Sequence, residues 1–171
     1  FAQNKAGKDG GTLTGHTVKG LKNVKCYFDG NIAGGDGGVL LLDSIKDHRS
    51  IMYSSCIFKN NKAFSGAVQF VSNAKTILFQ NCSFRHNVAN QFGGCIYLVS
   101  AENMLLNNCS YLNNVANQGG CLYILNVPIL TAYNCLYINN SAKDKGGAIF
   151  IDTCRAISII LSIFKNNHAY T

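Results

Sequence analysis

The chain has no tryptophan, one proline and few charges, with only 13% of its 171 residues ionic. No run of 18 apolar residues occurs, so no segment reads as a membrane-spanning helix. Acids are scarce at eight, and 15 bases leave a net charge of +7. The bases are scattered, the densest group being Lys19, Lys22 and Lys25. No basic stripe alternates with aromatic residues, which argues against a nucleic-acid partner. The four histidines (His16, His48, His86 and His168) share no strand position, so no metal centre, catalytic triad or cofactor is expected.

What the chain does have is repetition. An aromatic-x-x-Asn-x-Ala sentence is written seven times, at Phe1/Asn4, Phe28/Asn31, Phe58/Asn61, Phe84/Asn87, Tyr111/Asn114, Tyr137/Asn140 and Phe164/Asn167. Successive aromatic residues lie 27, 30, 26, 27, 26 and 27 positions apart, a period that marks a solenoid. Cys26, Cys56, Cys82, Cys109 and Cys135 each stand two residues before the aromatic, on the same face of a strand and therefore inside. The Asn fits a turn and the Ala a tucked bend. A glycine pair follows (Gly10-Gly11, Gly37-Gly38, Gly93-Gly94, Gly119-Gly120, Gly146-Gly147), with Ser65-Gly66 in its place in the third repeat.

Next comes a four-residue strand such as Val39–Leu42, Ala67–Phe70 or Cys95–Leu98. Gln69 marks its outer face, which predicts Val68 and Phe70 inside, and Leu41, Tyr97, Tyr123 and Phe150 on an outward apolar stripe. A loop then leads to a third strand, seen in 77–79, 104–106 and 157–159, and Asn81, Asn108 and Asn134 mark the corner into the next repeat. The extra residues of the 30-residue repeat, 43–49, predict a projecting loop. Three short strands per turn with Asn and Gly corners describe an all-β, parallel β-helix of about six rungs, filling 1–171 as one segment and about 29 Å long.

These residues resemble the repeats of chlamydial polymorphic outer membrane proteins, whose elements are Gly-Gly-Ala-Ile/Leu/Val and Phe-x-x-Asn, and similar pectin-lyase-like repeats of large protist surface proteins. Gly146-Gly147-Ala148-Ile149 matches the first element in full. The resemblance implies a right-handed β-helix at the cell surface, but β-helices host enzymes, adhesins and scaffolds alike. Enzymes of this architecture need ordered acids on an outer face. Asp9 and Asp36, one repeat apart before their Gly pairs, are the sole aligned acids, and they read as turn residues.

A non-catalytic structural or adhesive rod, able to assemble end to end, is therefore expected. The alternative is a carbohydrate-binding or polysaccharide-degrading β-helix. In-register parallel cysteines keep their β-carbons too far apart for a good disulfide, so the inner Cys ladder reads as free thiols. Cys95 and Cys121 read as an outward pair and the candidate disulfide. Of three sequons, Asn139-Asn140-Ser141 offers the best glycan acceptor, Asn139, if the chain is secreted. Because the chain starts at a repeat aromatic and stops seven positions past Phe164, further rungs or protein partners are expected at both ends.

Overall fold

A computed structural model describes residues 1–43 and 50–170. Residues 44–49, which carry most of the predicted projecting loop and His48, lie outside the described residues. All regular structure among the described residues is strand, and every strand pairing is parallel. The chain winds as a β-solenoid of about six turns, with three sheets along its length.

The first sheet holds six three-residue strands, Tyr27–Asp29, Ile57–Lys59, Ser83–Arg85, Ser110–Leu112, Leu136–Ile138 and Ile163–Lys165, each centred on the repeat aromatic. The second has seven short strands built on the repeat alanine, from Lys5–Ala6 to His168–Ala169. The sequence pattern predicts a turn there. The turn is in fact confined to the residue before the ladder Asn, where Asn60, His86, Asn113 and Asn139 hold φ near +55°. The third sheet has ten strands, and its longest, Gln69–Gln80 and Ile96–Asn107, run through what the pattern predicts to be a loop. One left-handed residue, Asn73 or Ser100, makes that bend, and the register is the same on both sides of it.

Register settles which residues face inward. Gln69 pairs with Leu40 and Ile96, and Phe70 with Leu41 and Tyr97. The third repeat is therefore shifted by one residue from the Ser65-Gly66 alignment. The reason is conformational: the first residue of each pair is left-handed, and Gly66 (φ 58°) takes that place beside Gly37 (φ 67°) and Gly93 (φ 58°). Gln69 is consequently fully buried and Phe70 points out, the reverse of the predicted orientation.

Just after the left-handed corner glycines Gly10, Gly37, Gly66, Gly93 and Gly119, two consecutive N–H groups donate to one carbonyl of the next rung. Cys95 and Ile96 both donate to Cys121 O, at 2.8 and 3.0 Å, and Cys121 and Leu122 both donate to Ala148 O, at 2.8 and 3.1 Å. The bend suspends strand alternation, so two successive side chains enter the core. Cys95 and Cys121 thus face inward, not outward, and are 0% exposed. Both thiols are free. Like the other ladder cysteines they sit in parallel register one rung apart, about 4.8 Å, wider than the roughly 3.8 Å between β-carbons that a disulfide prefers.

The core stacks like on like. Rings of Phe1, Phe28, Phe58, Phe84, Tyr111, Tyr137 and Phe164 stack at centroid distances of 4.4–5.0 Å, and Tyr53 on Phe79 forms a second stack edge-on to the first. Cys56, Cys82, Cys109 and Cys135 are buried as predicted, and each thiol donates to backbone carbonyls, Cys109 to those of Phe79 and Asn107 at 3.4 Å.

Candidate functional site

The repeat Asn forms the most ordered polar array in the molecule. Asn87 shows the pattern. Its backbone N–H and its Nδ2 both donate to Oδ1 of Asn114, at 3.0 Å each, and Nδ2 also donates to the carbonyl of Phe58 at 3.1 Å. Its Oδ1 accepts in turn from the N–H and Nδ2 of Asn61. The amide fills two donor and two acceptor places, so it can be buried at no polar cost. The ladder joins Asn4, Asn31, Asn61, Asn87, Asn114, Asn140 and Asn167 without a break. These residues are brought together, and what they build is a structural seam rather than a reactive site.

Asp9 and Asp36 do meet across one rung. The Asp9 carboxylate accepts the backbone N–H of Asp36 at 2.8 Å, the turn role predicted for it. Burial raises the Asp36 carboxyl above its ordinary value, the Ser65 hydroxyl bonded to it opposes that rise, and the charge of Asp9 adds to it. A second polar row lies on the outer third sheet, where Ser72 donates to Asp43 at 2.5 Å and His16 stands 3.8 Å from the same carboxylate. Asp43 sits between the other two, whereas in a nucleophilic triad the imidazole stands between the acid and the hydroxyl. Among the described residues no group of three or more His, Cys, Asp or Glu could hold a metal ion.

The outward stripe is Leu41, Phe70, Tyr97, Tyr123 and Phe150, with Phe70 added by the corrected register. Phe92 folds over it from the neighbouring corner, with ring centroids 5.3 Å from Tyr97 and 4.5 Å from Tyr123. The stripe is therefore partly covered by its own chain, and Tyr123 is only 9% exposed. The sequence signal for Phe92 is weak because the equivalent residues are Asp36, Ser65 and Gln118, none of them apolar.

Of the sequon residues, Asn139 is exposed on a left-handed corner. Asn81 and Asn108 hold the next corner at φ 54° and 51°, and Asn108 accepts from Asn134 Nδ2 at 2.7 Å.

Fold and seam define a parallel β-solenoid. Residues 138–152 match the model of the Chlamydia polymorphic membrane protein repeat. That stretch contains the ladder Asn140, the left-handed corner Gly146 and the in-facing Ala148, the parts of a rung that geometry constrains most. Neither the comparison with curated proteins nor that with solved structures finds a match.

Proposed function

We propose that this chain is a non-catalytic structural or adhesive rod module of a surface protein, in line with the membrane proteins whose repeat it matches. The observation that carries this reading is the Asn seam: the polar groups that are aligned from rung to rung are spent on holding the rungs in register. The acids on the outer faces are few, and Asp9, the best aligned, is bonded to backbone. Incubation with pectin, polygalacturonate and other acidic glycans tests it. Turnover that disappears in Asp9→Ala or Asp36→Ala would overturn the rod in favour of a pectin-lyase-like enzyme.

On this reading the rod belongs outside the cell, Asn139 is its glycan acceptor, and its ends join further rungs or protein partners, including copies that stack into a fibre. Sugar found on Asn81 but not on Asn139 by glycopeptide mass spectrometry would contradict the assignment. A second reading, carbohydrate binding, has one observation in its favour: Phe70, Tyr97 and Phe150 present half-exposed rings on successive or near-successive rungs, able to stack on sugar rings.

A further inference from the structure

Charge is unevenly spread along the rod. Residues 1–85 hold eleven of the 15 bases and five of the eight acids, so +6 of the net +7 lies in the first half. Part of this excess converges on one place. Lys19, Lys22 and Lys75 line a hollow of about 660 Å³ on the outer third sheet, floored by Gly20, Ser50 and Met52. The pairing of Leu21 with Ile51, and of Ile51 with Ile77, puts Lys19 and Lys75 at the same position two rungs apart. That separation is about 9.6 Å along the rod axis at one strand spacing per rung. Lys22 stands one turn position further along the same face. Among the described residues no acid lines the hollow, and none of the three lysines is held in an ion pair. In the next rung the same position is Glu102, which bounds the patch.

The geometry points to this hollow as a docking site for a linear acidic polysaccharide lying along the rod axis. Three ammonium groups on long stems, two on one rung and the third two rungs away, complement a chain that carries sulfate or carboxylate groups at intervals. They need no deep pocket, because the attraction is between solvent-facing charges and adds over several contacts. Nucleic acid is the poorer fit: the described residues that line the hollow include no aromatic ring on which a base could stack. The inference deepens the reading of the rod as a surface module by naming what its N-terminal half holds.

The test is binding of the 171-residue protein to a fluorescent heparin oligosaccharide, to polygalacturonate and to a single-stranded oligonucleotide, from about 50 to 200 mM salt. The two polysaccharides separate sulfate from carboxylate as the recognised group. The expected result is salt-dependent binding to at least one of them, weakened about tenfold or more by Lys19→Ala, Lys22→Ala and Lys75→Ala together. The triple variant Lys143→Ala, Lys145→Ala and Lys165→Ala makes the same change in net charge elsewhere, and it should weaken binding less than about twofold. All six side chains are exposed, so both variants should keep the circular dichroism and melting temperature of the parent. Equal loss in the two variants, no binding to either polysaccharide, or tighter binding to the oligonucleotide would each overturn the site. None of these outcomes touches the non-catalytic rod, which stands or falls on turnover of the polysaccharides.

Discussion

At the scale of single residues, Gln69 is the clearest departure from the rung pattern. It occupies a core position between Leu40 and Ile96, and neither Oε1 nor Nε2 has a hydrogen-bond partner. Gln69→Leu removes two orphaned polar atoms and should raise stability by about 1–3 kcal/mol, read as a higher urea midpoint at unchanged slope. Asn87→Ala is the opposite case. It strands the donors of Asn61, the Oδ1 of Asn114 and the carbonyl of Phe58 inside the rod, and should cost about 3–5 kcal/mol. The thiols make a third test. Burial pushes Cys56 up to about 11 and raises Cys95 and Cys121 well above the ordinary thiol value, while a hydrogen bond with Cys109 brings Cys135 down to about 7. Access outweighs ionisation here, because Cys135 is fully buried. Brief alkylation near neutral pH should therefore label Cys26 and Cys154, and the remaining six only after denaturation. Resistance of Cys95 and Cys121 even when denatured without reductant would restore the disulfide between them.

Among the elements, the corner before the left-handed glycines is where charge enters the fold. Asp36 has a folded-state pKa raised chiefly by burial, so its effect on stability is most favourable below the ordinary carboxylate value and is lost as pH rises through the raised one. Asp36→Asn should thus melt higher than the parent near pH 7, and the gap should close as pH falls towards 3.8 and below. A gap that widens on acidification would reverse the sign. This corner also shows what the sequence makes legible. Aromatic, Ala and Cys each recur at a fixed offset and each stack on their own kind, so the core of the first sheet can be read from the sequence. The repeat Asn, by contrast, reads as a turn residue and is in fact the buried seam, with the turn one residue before it. The third rung cannot be read the same way, because Ser65-Gly66 mimics a glycine pair while the backbone needs its left-handed residue one place later, at Gly66. The inward turn of Cys95 and Cys121 is hidden for a related reason. Strand alternation predicts faces only while each N–H has its own carbonyl, and here two share one. Phe92 over Tyr97 depends on corner geometry, and the alignment of Lys19 with Lys75 on a register carried over 56 residues, and no local pattern announces either.

For the whole molecule, the decisive property is that, among the described residues, the strands of each rung pair with those of the rungs before and after it. Stability is then close to a sum of rung and interface terms, and rungs should be removable as units. Deleting residues 87–113 takes out 27 residues and joins His86 to Asn114, replacing Asn87 by its own ladder equivalent. The left-handed corner at His86, the aromatic Phe84 before it and the Ala116 strand after it are all retained in phase. Gly119 then follows the ladder Asn by five positions, as Gly66 follows Asn61 in the rung below, and Tyr137 comes to stack on Phe84 in place of Tyr111. The shortened rod should fold with the same strand content and a urea slope lower by about one sixth, in proportion to the surface it no longer buries. Deleting about half as many residues from the same start puts core aromatics against polar corners and breaks the seam. That chain should lose cooperative unfolding altogether. If the whole-rung deletion unfolds the protein as completely as the half-rung deletion, the rungs are not independent units, and the additive description of the rod fails.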